Sequence, residues 1–289
     1  MTSLKVTSSA DATNNNDAHF PEGPVVTVDW LSHNLDRDDV IVLCATMEDD
    51  EIARQAGIPG AFLADLEGDF SDPHSELPHT APPNLVGLLE SYGISTDSTV
   101  VVYDLHGLMV APRVWWLLRV AGLSSIGVLD GGLPAWVDAG LPTEPLSLPT
   151  GGGRISAEPQ PDLLVGASGV ERAIARSSKA VIDARNASRF AGVEEEPRPG
   201  LRKGSIPGSV NIPFTDISDE HGFVRPAEEL KELIFSRTNG AQSLVFSCGS
   251  GVTACVDAYA AVIAGYDDVV VYEGSWAEWG NPANQKPIA

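Results

Sequence analysis

The sequence predicts an α/β protein built from two tandem copies of one unit, each a central, mostly parallel sheet flanked by helices. Three observations predict it. Short apolar runs of strand length alternate with helical stretches through most of the chain, the pattern of parallel strands joined by helical crossovers. Landmarks of the first half recur in the second at a near-constant distance, Pro59 with Pro207, Asp104 with Cys248 and Gly131 with Gly274, the offsets lying between 143 and 148 residues, as expected of a duplicated unit with small loop differences. The length, 289 residues, exceeds one average domain and suits two.

Taken in order, residues 1–22 are small and polar, without arginine or an apolar segment, and read as a disordered tail rather than a targeting peptide. The first domain, 23–142, enters at Val25 to Leu31 and continues with a strand over Val40 to Cys44 and a turn at Gly57-Ile58-Pro59-Gly60. An acidic loop through Asp65, Glu67, Asp69 and Asp72 follows, then a helical stretch over 84–92, a strand from Thr99 to Asp104, a helix over 111–120 with apolar residues all along it and a strand from Ile126 to Leu129. Residues 143–162 carry Pro145, Pro149, Gly151, Gly152, Gly153, Pro159 and Pro161, a linker by composition. The triple glycine is not a phosphate loop, since no strand precedes it and no Lys-Ser/Thr follows. The second domain, 163–289, repeats the scheme with strands at 181–185, 243–247 and 269–272.

Composition narrows the function. Hydrophobic residues make up 43% and charged residues 20% of the chain, and the net charge is −22. The resulting field repels nucleic acid and anionic membranes, and no apolar run nears the ~20 residues that span a bilayer. Neither nucleic acid nor membrane is expected as a partner. The three cysteines, Cys44, Cys248 and Cys255, form neither a disulfide framework nor a metal-binding pair. They fit a reducing, cytoplasmic setting.

One stretch points to chemistry. In Val245-Phe246-Ser247-Cys248-Gly249-Ser250-Gly251-Val252-Thr253-Ala254-Cys255, an apolar strand delivers Cys248 into a Gly-Ser-Gly turn, and a helix is expected to start near Val252. A sulfur at such a turn faces backbone N–H groups and the positive end of a helix dipole, which favour thiolate. Glycines let the chain curl around it. The competing reading is a buried structural cysteine, which needs no glycine cradle. Cys44, which ends an apolar strand without polar neighbours, reads as core. Cys255, two helical turns or about 10 Å beyond Cys248, is expected to face the core, with a redox partnership to Cys248 as the alternative. The first copy carries Asp104 where the second carries Cys248, so one copy is expected to be catalytic and the other silent, supplying a wall of the cleft.

These motifs resemble the tandem rhodanese-domain sulfurtransferases, and within them the 3-mercaptopyruvate sulfurtransferases. The resemblance covers nearly the whole chain after the tail. It rests on Cys248-Gly249-Ser250-Gly251-Val252-Thr253, on Ala111-Pro112-Arg113-Val114-Trp115-Trp116 and Leu129-Asp130-Gly131-Gly132, and on Asn211-Ile212-Pro213-Phe214 and Gly274-Ser275-Trp276. In this family thiosulfate-preferring members usually place basic residues just after the cysteine; the uncharged Gly249 and Ser250 look like the mercaptopyruvate pattern. The resemblance implies a clamp of two arginines nine apart, matched by Arg189 and Arg198, whose planar forks suit a carboxylate with its neighbouring keto oxygen. The competing reading is two surface arginines paired with Glu194 to Glu196. It also implies an acidic residue reaching from the first-domain loop toward Ser250, and Glu67 aligns there, with Asp65 and Asp69 close by. The histidine of that loop falls at His74, one residue early relative to Leu77-Pro78, where a solvated loop histidine competes. His79, His106 and His221 read as surface or turn residues.

The implied reaction has two halves. The thiolate of Cys248 takes the sulfur of 3-mercaptopyruvate and releases pyruvate, the amides of Gly249, Gly251, Val252 and Thr253 hold the outer sulfur of the persulfide, and Ser250 with Glu67 relays the proton. A thiol, reduced thioredoxin or cyanide then removes the sulfur. Neither a metal nor an organic cofactor is needed. Transfer from thiosulfate to cyanide is the near alternative, and a non-catalytic sulfur carrier or interaction module is one of another class. Cysteine phosphatase chemistry wants arginine six residues after the nucleophile, where this chain has Ala254.

Overall fold

The computed structural model describes residues 20–47, 51–176 and 178–289, so the tail expected over 1–22 lies outside it up to residue 19. In the first half, β1 (Val25–Val26), α1 (Val28–Asn34), β2 (Val40–Thr46), α2 (Glu51–Gln55), β3 (Phe62–Asp65), α3 (Leu85–Ser91), β4 (Thr99–Asp104), α4 (Ala111–Val120), β5 (Ile126–Leu129) and α5 (Gly132–Asp138) follow one another. The second half has β6 (Leu164–Val165), α6 (Ala167–Ile174), β7 (Lys179–Asp183), α7 (Ala187–Phe190), β8 (Val210–Asn211), α8 (Ala227–Thr238), β9 (Ser243–Ser247), α9 (Ala254–Ile263), β10 (Asp268–Tyr272) and α10 (Ser275–Trp279). Each half forms one five-stranded sheet, in the orders β1-β5-β4-β2-β3 and β6-β10-β9-β7-β8, and every pairing is parallel. The orders are the same under exchange of copies, so the duplication extends to topology.

The central strands, β4 and β9, are buried almost throughout, which is why they read as continuous apolar runs rather than alternating ones. The first ends on Asp104, and the second runs directly into Cys248. Ligands of parallel sheets bind at such carboxyl ends.

The helices after those loops meet each other. Nine of the ten residues of α4 are buried, because one side packs on its own sheet and the other on α9. Trp115 of α4 meets Tyr259 of α9 edge to face, with ring centroids 5.0 Å apart, and the Arg119 guanidinium lies 4.8 Å from the Trp116 ring. A single cluster of buried side chains runs from the first sheet through this seam into the second. The segment 143–162 lies against the first domain, with Glu144 bridging Gly57 and the amides of Gly153 and Gln160 bonded to the carbonyls of Glu90 and Val120. No helix among the described residues is long and apolar enough to cross a membrane.

Candidate active site

Cys248 leaves β9 into a turn that only glycine can make. Gly251 has φ +80°, and a Cβ there would fall 2.7 Å from the Glu273 carbonyl oxygen, too close for any side chain. The Gly251 amide donates to Cys248 Sγ at 3.2 Å. The start of α10 holds the loop from behind: Ser275 Oγ accepts from the Cys248 amide at 3.1 Å and donates to the Tyr272 carbonyl. The amides of Trp276 and Ala277 donate to the carbonyls of Cys248 and Gly249. With the carbonyls tied back, the amides of Gly249, Ser250, Val252 and Thr253 have no acceptor among the described residues. Such a set can hold an anion. Helix α9 begins at Ala254, two residues later than expected, because Val252 and Thr253 complete the turn around the sulfur.

Arg189 and Arg198 converge on the same loop. A Cβ built on Gly249 would lie 3.2 Å from Arg189 Nη2 and 3.8 Å from Arg198 Nη1, so the missing side chain leaves room for both guanidinium groups. Arg189 stands on α7, capped by Asn186, whose side chain accepts the Arg189 amide at 2.8 Å. The pairing with the Glu194 to Glu196 stretch that the competing reading foresaw is present for Arg189, through Glu196, whose buried side chain accepts from Arg189 Nη2 at Oε2 at 2.5 Å.

The first domain contributes a hydrogen-bonded relay. Ser250 Oγ lies 3.0 Å from His79 Nδ1, and His79 Nε2 lies 2.9 Å from Glu67 Oε1. Glu67 is therefore the loop acid that the geometry brings toward Ser250. The Asp65 carboxylate instead accepts the Glu67 amide. His79 corrects the reading of it as a surface or turn residue: its side chain is 2% exposed. His74 lies in an exposed turn, its amide bonded to Asp72. The relay histidine follows Leu77-Pro78 rather than preceding it, and its adjacency to that dipeptide was the available signal. A left-handed backbone, φ +57°, turns its ring inward, and the buried Arg113 of α4 donates to its carbonyl at 2.6 Å. Arg113 also reaches Glu273 Oε1 at 3.1 Å, the carboxylate that accepts the Ala81 amide. Burial pushes the His79 pKa below its ordinary value, opposed by Glu67 and assisted by the positive charges of Arg198 and Arg113. The ring is thus neutral near pH 7.

The other thiols lie in the core. Cys255 donates to the Gly251 carbonyl at 3.3 Å, and burial pushes its pKa up to about 12, so it remains a thiol. Cys44 is fully buried in the first sheet.

In the first copy, expected to be silent, Asp104 stands at the place of Cys248. Asp104 Oδ2 accepts from the amides of Met109, Val110 and Ala111 at 2.7 to 2.9 Å, and Oδ1 from that of His106 at 2.9 Å. Its carboxylate occupies the amide cradle at the end of β4. Asp104→Ala is expected to destabilise the protein by about 3 kcal/mol, because it orphans several buried donors; the midpoint of urea unfolding measures this.

The Rhodanese-like domain model matches residues 27–139 and 167–282, and the chain belongs to that family. It is 36% identical to the 3-mercaptopyruvate sulfurtransferase of Escherichia coli (strain K12), over 90% of this chain and 95% of that protein. It is 35% identical to the thiosulfate sulfurtransferase of Cricetulus griseus, over 78% of each chain. The crystal structure of SseA from Escherichia coli, a 3-mercaptopyruvate sulfurtransferase, superposes with a TM-score of 0.77 at 33% identity, covering 88% of this chain and 99% of that one.

Proposed function

We propose that this chain is a 3-mercaptopyruvate sulfurtransferase that carries sulfur as a persulfide on Cys248. The observation that carries the reading is the junction of three parts at one loop: a cradled cysteine, two arginines above Gly249, and the Ser250-His79-Glu67 relay. The last part argues for a carbon-containing donor, since thiosulfate leaves as sulfite and needs no proton delivered to carbon.

In the first half, Arg189 and Arg198 hold the carboxylate and keto oxygen of the donor, and the Cys248 thiolate attacks its sulfur. The S–S bond forms as the C–S bond breaks, and the electron pair passes to the enolate of pyruvate. The donor's S–H proton moves to Ser250 Oγ while the serine proton moves to the neutral His79, whose positive charge Glu67 then balances. Return of that proton through Ser250 to the enolate carbon gives pyruvate and leaves the persulfide anion on Cys248. The free amides of the loop hold the outer sulfur. In the second half a thiol, such as that of reduced thioredoxin, or cyanide takes it. The three reduced cysteines suit a reducing cytoplasmic setting.

The direct test treats the protein with 3-mercaptopyruvate and, separately, with thiosulfate. Stoichiometric pyruvate release with the mass of one added sulfur on Cys248 is expected, and a clear preference for thiosulfate would overturn the reading in favour of the activity named for the Cricetulus griseus relative. Arg189→Ala is expected to raise the KM for mercaptopyruvate about tenfold or more, and that for thiosulfate much less, because only the keto acid uses the bidentate fork. Steady-state kinetics with both donors measures the difference, and equal changes would remove the clamp argument.

A further inference from the structure

We propose that Glu196 is a positioning residue for the donor clamp, holding Arg189 over Gly249 and so setting the affinity for a 2-keto acid. The proposal rests on the mercaptopyruvate reading above and concerns a residue that takes no part in the chemistry.

The Glu196 side chain is 2% exposed and its carboxylate is divided between two guanidinium groups. Oε1 accepts from Arg185 Nη1 at 2.6 Å and Oε2 from Arg189 Nη2 at 2.5 Å. The two arginines are held very differently. Arg185 is fully buried, bonded to both carboxylate oxygens of Asp183 at 2.7 to 3.1 Å and to the Gly204 carbonyl at 2.9 Å, and laid 4.3 Å from the centre of the Trp276 ring. Arg189 is 18% exposed, and its side chain has no other hydrogen-bonded partner among the described residues. Its buried Nε is unpaired. Among the described residues Glu196 is therefore the single side-chain link between an arginine with one partner and an arginine with several.

The contacts close into a ring. Trp276 donates its amide to the Cys248 carbonyl and packs on Arg185; Arg185 holds Glu196, Glu196 holds Arg189, and Arg189 returns to within reach of Gly249. The clamp is thereby registered to the loop that carries the nucleophile.

Charge points the same way. Asp183, Arg185, Glu196 and Arg189 form an alternating chain whose charges sum to zero, which leaves Arg198, without an ion-pair partner among the described residues, as the cation that draws the donor in. Removing the charge of Glu196 sets two guanidinium groups against each other with no carboxylate between them. Arg185, pinned by Asp183, stays. Arg189 then swings away from Gly249 into the solvent beside it.

The test is Glu196→Gln in the full chain, with rates normalised to the folded fraction measured by circular dichroism, so that partial misfolding does not imitate a loss of kcat. The expected result is an approximately tenfold rise in KM for mercaptopyruvate, kcat within about twofold, and a smaller change with thiosulfate. In an Arg189→Ala background the same substitution should change KM no further, since Glu196 acts through Arg189. A KM within twofold of the parent, an equal change with both donors, or a full additional effect in the Arg189→Ala background would overturn the proposal. If Glu196→Gln does not fold, Glu196→Asp, whose stem is one methylene too short to bridge Arg185 and Arg189 together, carries the same expectations and the same overturning results. Failure of the parent protein to turn over mercaptopyruvate would instead refute the reading beneath the proposal.

Discussion

Cys248→Ser is expected to lower pyruvate release from mercaptopyruvate by at least about a thousandfold while leaving the fold intact. The substitution is nearly isosteric in a site that is 1% exposed, and a hydroxyl accepts the Gly251 amide as the sulfur does, so the loop keeps its shape. What disappears is a nucleophile able to form an S–S bond and carry a second sulfur. An alcohol at this position can do neither at neutral pH. Neither Cys44 nor Cys255 replaces it, the first lying within the first sheet and the second pointing its S–H at the Gly251 carbonyl. Pyruvate assay and intact mass after donor treatment measure the effect. Retention of pyruvate release, or of a sulfur-loaded species, in Cys248→Ser would place the chemistry elsewhere.

His79→Gln is expected to lower kcat for pyruvate release about a hundredfold or more, the scale of a lost general acid-base group, and to leave sulfur transfer from thiosulfate little changed. Glutamine can bond to both Ser250 and Glu67 but cannot take up and return a proton. The pH dependence gives a second signature. In the parent protein the neutral imidazole accepts from Ser250, and acidification removes that acceptor. Because burial lowers the His79 pKa, the acidic fall in kcat should have its midpoint below about 6.5, the ordinary histidine value, and His79→Gln should lack that limb. A pH profile of the variant with the same acidic limb, or an equal loss with both donors, would show that His79 serves the structure and not the proton.

How far the site was legible in the sequence follows from where its parts lie. Strands β4, β5 and β9 were readable to the residue because they are apolar, β-branched and buried on both sides. Strands β3, β6 and β8 were not. They are two- to four-residue edge strands, whose pairing partners and not their composition make them strands. Cys248, Ser250 and the two arginines are carried by local motifs in the second domain, where a short stretch of sequence is also a short stretch of space. The relay histidine is different in kind. His79 owes its burial and its direction to a left-handed backbone and to Arg113, a residue 34 positions away, and no periodicity or composition near it records that contact. Glu196 has the same character: in the sequence it is the last of three consecutive glutamates, and only folding separates the buried one from its exposed neighbours.

The carboxylate of Asp104 gives the duplication a further meaning. On the proposed reaction the amide cradle of the second domain serves two occupants in turn, a sulfur atom before the donor arrives and a longer sulfur chain after it, so its fit to either is a compromise renewed in every turnover. In the first domain the occupant is covalently part of the loop and never leaves. One copy would thus keep an exchangeable guest and the other a permanent one, and the first domain, its own cradle filled, is the counterface on which α9 packs and from which His79 and Glu67 reach the other loop.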